Sequence, residues 1–186
     1  MGLSSLPNAL SILRIILTVP IVLTLLNEQY FWAMVLFFIA GISDALDGWI
    51  AKRYSFQTRF GSILDPAADK LLLVSSFITL HIIGLLPLWL LALIFLRDLM
   101  IVSGTVGSFM SSEDSKNDLL TPSKLSKINT MLQITLVLFL VVSQLSSALS
   151  TWDTIFFIIV ATSTVLSGAD YIWIWIEKAI FQEKQK

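Results

Sequence analysis

The chain has 186 residues, of which 56% are hydrophobic and only 13% are charged, and its mean hydropathy is +0.84. A soluble domain would carry roughly 25% charged residues, so the composition predicts an integral membrane protein. The basic residues are few and form no stripe interleaved with aromatic residues, which argues against a nucleic-acid partner. The chain has no cysteine, which excludes disulfides and thiolate metal sites.

Six apolar runs follow one another along the chain, and each is long enough to cross a membrane at about 20 residues per helix. They lie at Ala9–Leu26, Tyr30–Ala51, Ser62–Ile83, Leu86–Ser108, Leu125–Gln144 and Thr154–Ile176. The first run lacks a preceding basic segment and a following cleavage site, so we expect a permanent span and not a signal peptide. We predict one all-α domain over residues 1–186, an integral membrane bundle of six transmembrane helices.

The distribution of Lys and Arg predicts the orientation of these spans. The connections after the first, third and fifth runs contain neither residue, whereas the other two loops and the C-terminal end are basic. Loops rich in Lys and Arg stay on the cytoplasmic side of a membrane. We therefore expect both termini and both polar loops in the cytoplasm, with the chain in the inner membrane of a bacterium.

Four aspartates stand at the facing ends of the second and third apolar runs. Asp44 and Asp47 close the second run, and Asp65 and Asp69 open the third. A helix turns by roughly 100° per residue, so the members of each pair lie about 60° and about 40° apart, on one helix face. Two antiparallel helices joined by the polar segment 52–61 would bring the two pairs together.

Such a cluster predicts a metal site that handles phosphate. Close carboxylates repel one another unless protons or cations compensate them, and oxygen ligands suit Mg²⁺ or Mn²⁺. These ions commonly bridge carboxylates and substrate phosphates. Gly48 and Gly61 permit either close approach of a ligand or tight helix packing. Lys52, Arg53 and Arg59 supply positive charge, either for a phosphate or simply as the cytoplasmic basic residues.

The spacing of this segment resembles the signature of the CDP-alcohol phosphotransferases, Asp-x2-Asp-Gly-x2-Ala-Arg-x8-Gly-x3-Asp-x3-Asp. One position departs from the signature, because the chain has Lys52 where the family usually has Arg. Lysine keeps the charge but loses the bidentate fork. The resemblance extends from Leu6-Pro7-Asn8, through Arg14, to about Gln133. The matching positions here are Asp44, Asp47, Gly48, Ala51, Lys52, Gly61, Asp65 and Asp69.

The resemblance implies six helices around a polar cavity open to the cytoplasm, commonly in a homodimer. It implies that Asp44, Asp47, Asp65 and Asp69 bind one or two Mg²⁺ or Mn²⁺ ions, and that Asp69 is the general base. It also implies that the nucleotide of CDP-diacylglycerol binds at Gly48, Ala51, Lys52 and Gly61. The acceptor hydroxyl would then attack the lipid-bearing phosphorus and release CMP.

Three basic residues outside the signature are candidates for binding the acceptor. Arg97, next to Asp98 in mid-span, either faces the acceptor's phosphate or forms a self-compensating structural pair. Lys124 and Lys127 open the fifth run, where Lys127 either meets a phosphate or extends toward the interface. The run Ser126-Lys127-Ile128-Asn129-Thr130 resembles the cardiolipin-synthase branch of the family more than the phosphatidylglycerophosphate-synthase branch.

We therefore expect a phosphatidyltransferase whose acceptor is phosphatidylglycerol or glycerol 3-phosphate. Inositol phosphate as the acceptor is an alternative. A cation transporter or channel is a different class of alternative, since it also explains acids at membrane depth. It does not explain the Gly and Ala spacing or the cytoplasmic position of the acids. His81, the one histidine, is expected to have a structural or interfacial role.

Overall fold

The fold is all-α, as the composition and periodicity predict. The computed structural model describes the backbone at residues 6–54, 61–111, 123–146 and 149–183, and the side chains at 11–43, 65–103, 123–146, 149 and 151–176. Over these residues the chain forms six α-helices and one short 3-10 helix, with no strand. The α-helices are α1 (Leu6–Leu26), α2 (Tyr30–Tyr54), α3 (Gly61–Ile82), α4 (Leu88–Ser111), α5 (Lys124–Ser143) and α6 (Asp153–Glu183).

Each predicted span corresponds to one helix, although α2 and α6 run on into polar sequence. Within the described residues, two helical segments are long and apolar enough to cross a membrane, Lys124–Ser143 and Asp153–Ile176. Shorter apolar helices cover Ser11–Leu26 and Tyr30–Ser43. The bundle of six membrane spans around a cytoplasmic cavity therefore stays a prediction.

Contacts between the helices group the chain into two compact units. The first comprises Met1–Leu86 and Val137–Thr151, and in it α1 packs against α2 and α3. The second comprises Pro87–Leu136 and Trp152–Lys186, and in it α4 packs against α6. Helix α5 thus gives its first part to the second unit and its last part to the first. The prediction of a single domain over residues 1–186 stays a prediction.

The first unit has a polar interior stripe and an apolar exterior. On α1 the hydroxyl and guanidinium side chains of Ser11, Arg14 and Thr18 are buried, whereas Ile16 and Val19 are more than half exposed. A soluble helix would show the opposite arrangement, with its polar face outward. Large apolar side chains on the outside suit a hydrocarbon surrounding.

Two helices in the first unit end in the same hydrogen-bonded turn. The amide of Gln29 donates to the Thr24 carbonyl (2.8 Å) and that of Glu28 to Leu25 (3.0 Å). After α3, Leu85 donates to Leu80 (2.9 Å) and Gly84 to His81 (3.0 Å). These are the two bonds of a Schellman motif, whose turning residue adopts a left-handed conformation. That residue is Glu28 (φ 57°) after α1 and Gly84 (φ 81°) after α3.

His81 stabilises the second of these turns. Its Nδ1 lies 2.9 Å from the Leu86 carbonyl oxygen and therefore carries the proton that it donates. The contact closes the connection between α3 and the following helix, which supports the structural role predicted for His81.

Single substitutions at the two left-handed positions, Glu28 and Gly84, should change the free energy of unfolding in opposite directions. A left-handed conformation costs a residue with a Cβ roughly 1–2 kcal/mol, and part of this is offset by the greater entropy of glycine in the unfolded chain. We expect Glu28→Gly to stabilise the chain by about 0.5–1 kcal/mol and Gly84→Ala to destabilise it by about 1 kcal/mol. A Cβ at Gly84 would meet no atom within 4 Å, so backbone strain alone is tested.

Unfolding in mixed micelles measures both effects, with Glu28→Gln as the matched control because glutamine keeps the same backbone cost. If Gly84→Ala were as stable as the parent chain, the prediction would be wrong, and the backbone of this turn would have to adjust to remove the strain.

Candidate functional site

The two acids at the start of α3 each contact α1. The hydroxyl of Ser11 donates to Oδ1 of Asp65, and Nη1 of Arg14 donates to Oδ1 of Asp69. Ser11 and Arg14 are three residues apart on one helix, and the acids are four apart on the other, so each pair shares a helix face. Because the lower-numbered residues of the two helices pair together, α1 and α3 run in the same direction.

The ion pair between Arg14 and Asp69 is buried on one side only. The side chain of Arg14 is 1% exposed, whereas that of Asp69 is 46% exposed. A charge-assisted hydrogen bond of this kind is stronger than a neutral one. Arg14 therefore fixes the Asp69 carboxylate against the core of the first unit, while part of the acid remains exposed.

The other signature residues are placed by their backbone alone. Asp44, Asp47, Gly48, Ala51 and Lys52 lie on the last turns of α2, and Gly61 begins α3. Their side chains lie outside the described residues, so the predicted meeting of the four carboxylates stays a prediction. The charged residue Arg59 also lies outside the described part of the chain.

The described acids suit a divalent cation as half of a ligand set. Among the described side chains no group of three acids or histidines gathers, but two of the four predicted ligands lie outside them. Asp65 and Asp69 offer carboxylate oxygens, the donors that Mg²⁺ and Mn²⁺ prefer. An ionised carboxylate has about four lone-pair sites. Asp69 can therefore accept from Arg14 and still offer oxygen lone pairs to an ion.

Arg97 lies at the centre of a polar cluster in the second unit. It is 6% exposed. Its Nη1 donates to Oδ1 of Asp98 (3.0 Å) and its Nη2 donates to the hydroxyls of Ser126 (2.7 Å) and Ser167 (2.6 Å). The cluster joins α4, α5 and α6, which gives Arg97 a structural task whatever its part in binding an acceptor.

The two lysines proposed for the acceptor lie on the outside of α5. Lys124 and Lys127 are exposed, and Arg97 contacts neither of them in the described part of the second unit. Ser123 caps the helix, because its hydroxyl accepts from the amide of Ser126 (3.1 Å). The cap fixes the first turn of α5 and thereby places Ser126 against Arg97.

A row of buried amides continues from Ser126 along α5. Asn129 is fully buried and its Oδ1 accepts from the Thr164 hydroxyl on α6 (3.0 Å). Gln133, one turn later, is 3% exposed. Among the described residues, Nδ2 of Asn129 and Nε2 of Gln133 meet no hydrogen-bond partner. The pairs that join α5 to α6 show that the two helices are antiparallel. The residue opposite Gln133 on α6 is therefore the apolar Val160, whose side chain offers no hydrogen-bond acceptor.

A groove of about 510 Å³ runs between α4 and α6 in the second unit. Its walls are mainly apolar and include Gly168, where an added Cβ would stand 3.8 Å from Cγ of Arg97. Such a surface suits hydrocarbon chains. The residues that form it include Met100, Ile101, Tyr171, Ile172, Trp175 and Ile176.

Sequence reasoning gave Ser11 no role and noted Arg14 only as part of the resemblance. Arg14 did carry a signal, since a lone guanidinium in an apolar helix needs a partner. Ser11 and Ser167 carried none, because hydroxyls in apolar helices usually bond to their own backbone, as Ser76 does to the Leu72 carbonyl (2.6 Å).

Comparison with known proteins gives one family match. The model of the CDP-alcohol phosphatidyltransferase family matches residues 4–168. The chain is 37% identical over 146 residues to a probable cardiolipin synthase (CMP-forming) of Drosophila melanogaster, and 32% identical over 146 residues to the human cardiolipin synthase (CMP-forming). It is 28% identical over 197 residues to a CDP-diacylglycerol–glycerol-3-phosphate 3-phosphatidyltransferase of Bacillus subtilis.

The relatives differ in how much of their length is matched. The two animal alignments cover 72% of this chain but only 45% and 48% of those proteins. The Bacillus subtilis alignment covers 90% of this chain and 93% of that protein. The chain thus spans about half the length of the animal enzymes and nearly all of the bacterial one.

Proposed function

The chain belongs to the CDP-alcohol phosphatidyltransferase family, and we propose that it transfers a phosphatidyl group from CDP-diacylglycerol to a glycerol-type acceptor. The acceptor is phosphatidylglycerol, giving cardiolipin, or glycerol 3-phosphate, giving phosphatidylglycerophosphate, and CMP is released. The relatives described above include enzymes of both kinds, a probable cardiolipin synthase (CMP-forming) and a CDP-diacylglycerol–glycerol-3-phosphate 3-phosphatidyltransferase. The family match favours this enzyme over the ion-transport alternative.

One observation carries the proposal beyond the family match. The signature acid Asp69 is anchored by a buried arginine on one side and remains 46% exposed on the other. A carboxylate that is held in place and open to a substrate is what a general base requires. The placement of Asp69 therefore supports a reaction in which a group is transferred to a hydroxyl oxygen and Asp69 takes up the hydroxyl proton.

The reaction follows from these residues. The acceptor hydroxyl oxygen forms a bond to the phosphorus that carries diacylglycerol, and the bond from that phosphorus to CMP breaks. The hydroxyl proton passes to the carboxylate of Asp69. Lys52, with Gly48, Ala51 and Gly61, would hold the nucleotide, since small residues permit close approach and the ammonium group attracts phosphate.

We assign the divalent ions to Asp44, Asp47, Asp65 and Asp69. One or two Mg²⁺ or Mn²⁺ ions bound there would neutralise charge on the pyrophosphate and on the departing CMP. Asp65 and Asp69 would contribute two of these ligands from one face of α3, and the acids of α2 would complete the set.

We propose that Arg97, Lys124 and Lys127 bind the acceptor. Of the three, the exposed lysines are the more available to an incoming phosphate, since two nitrogens of Arg97 already bond to protein oxygens. Glycerol 3-phosphate and phosphatidylglycerol share a glycerol phosphate unit, so one site can serve either.

We place the protein in a bacterial cytoplasmic membrane as a homodimer. Six spans would surround a cavity open to the cytoplasm, with both termini on that side. The basic loops and the apolar outward faces of the described helices support this arrangement.

A single assay tests the proposed function. Purified protein is given radiolabelled CDP-diacylglycerol with Mg²⁺ or Mn²⁺, and phosphatidylglycerol, glycerol 3-phosphate, inositol phosphate or serine is offered separately. We expect CMP release and a labelled lipid product with one of the two glycerol acceptors, and none when the ion is removed with a chelator.

Ion flux through the same protein in sealed vesicles provides the comparison. Flux without CMP release from any acceptor would refute the enzyme and favour the transporter. Turnover with inositol phosphate alone would keep the reaction but replace the acceptor.

A further inference from the structure

The two acids of α3 have partners of different charge. Asp65 accepts a hydrogen bond from the neutral hydroxyl of Ser11, whereas Asp69 accepts one from the cationic guanidinium of Arg14. The acids have the same chemistry and lie one turn apart, but α1 compensates the charge of only one of them.

Both partners are fixed by the core of the first unit. Ser11 is 0% exposed and Arg14 is 1% exposed. Arg14 is also held through its backbone, since its carbonyl accepts from the hydroxyl of Thr18 (3.0 Å). Ser11 and Arg14 are therefore held by the surrounding packing, and they contact Asp65 and Asp69 from the side of the protein core.

The difference in charge has a consequence for a divalent cation near these acids. The hydroxyl beside Asp65 carries no charge, whereas the guanidinium of Arg14 places a positive charge directly beside the carboxylate of Asp69. A cation that approaches Asp69 is also repelled by Arg14, and at short range near a protein surface that repulsion is large. The cation is therefore bound more strongly by Asp65 than by Asp69.

We propose that Ser11 and Arg14 are positioning residues that give the two carboxylates different tasks. Ser11 orients Asp65 as a cation ligand. Arg14 limits the affinity of Asp69 for the cation and keeps that carboxylate turned toward the acceptor hydroxyl. The second task rests on the proposed function, whereas the first concerns cation binding alone.

Substitutions on α1 with Mn²⁺ binding as the readout test this proposal. Mn²⁺ affinity is measured by electron paramagnetic resonance on the full chain in detergent, and kcat and KM are measured separately. We expect Arg14→Met to bind Mn²⁺ about tenfold more tightly, because a repelling cation is removed, while kcat falls about 100-fold because Asp69 is no longer held. A merely structural arginine would not strengthen Mn²⁺ binding when it is removed.

Two further variants separate charge from geometry. Arg14→Lys keeps the charge but loses the planar fork, so Mn²⁺ affinity should stay near that of the parent chain while kcat is intermediate. Ser11→Ala should weaken Mn²⁺ binding roughly tenfold, as removal of a group that orients a metal ligand does. Should Arg14→Met fail to fold, Arg14→Lys and Ser11→Ala decide the matter.

Ser76→Ala is the matched control, since Ser76 is a fully buried serine on α3 that bonds to its own helix. Its Mn²⁺ affinity should equal that of the parent chain. Unchanged or weaker Mn²⁺ binding in Arg14→Met, or unchanged Mn²⁺ binding in Ser11→Ala, would overturn the proposal. Mn²⁺ binding is judged without turnover, so a failure of the proposed function is seen separately, as CMP release from no acceptor.

Discussion

Replacing Asp69 with asparagine should reduce CMP release by a factor of about 1,000, because a general base typically contributes 100- to 10,000-fold. The amide cannot take the proton of the acceptor hydroxyl, and it is a poorer ligand for a divalent ion. Its carbonyl oxygen still accepts from Arg14, so the packing of α1 against α3 should survive. Turnover is measured with labelled CDP-diacylglycerol and the preferred acceptor, and folding by thermal unfolding in detergent.

Glu28→Gln provides the same chemical change at an exposed position outside the site, and it should leave turnover unchanged. Near-parental turnover in Asp69→Asn would remove Asp69 from the role of base. A loss of turnover together with a loss of folding would instead assign the carboxylate to holding Arg14 in the core.

Arg97→Met should cost about 3 kcal/mol of stability, because breaking a buried ion pair leaves the other charge uncompensated. The partner that remains, Asp98, has a side chain only 15% exposed. Two hydroxyls, on Ser126 and Ser167, would also lose the donor that they now share. Unfolding in mixed micelles, compared with the parent chain, measures the cost.

The double variant Arg97→Met with Asp98→Leu separates structure from acceptor binding. Removing both charges of a buried pair is often neutral or stabilising, and the freed hydroxyls can bond to their own helices. We expect most of the lost stability to return, whereas the acceptor KM should be higher than that of the parent chain if Arg97 binds the acceptor. Parental KM in the stable double variant would make Arg97 purely structural, and parental stability in the single variant would contradict the structural role.

The sequence determined the features that depend on neighbours within a turn or two. Hydrophobic composition and run length predicted an all-α chain with six helices, and α5 begins one residue from the predicted position. The spacing of Asp65 and Asp69 placed both on one face of α3, because helical periodicity needs no tertiary contact. The signature spacing also led to the family, which the comparison confirms.

The local sequence could not determine which residue takes the left-handed position after a helix, because glycine and glutamate both occupy it in this chain. Gly84 is the ordinary choice for a left-handed position, whereas Glu28 adopts it at a cost. Composition does not reveal that the turn after α1 places a residue with a Cβ in this conformation.

Only the tertiary structure decided which partner each charge has. Arg14 and Asp69 are separated by 55 positions, and Ser11 and Asp65 by 54. A lone arginine in an apolar helix shows that a partner is needed, but the identity of that partner depends on how α1 rotates against α3. The same holds for Arg97, whose serine partners are 29 and 70 positions away. Periodicity fixes which side chains share a face, whereas the pairing of faces is set by the burial of whole helices against one another.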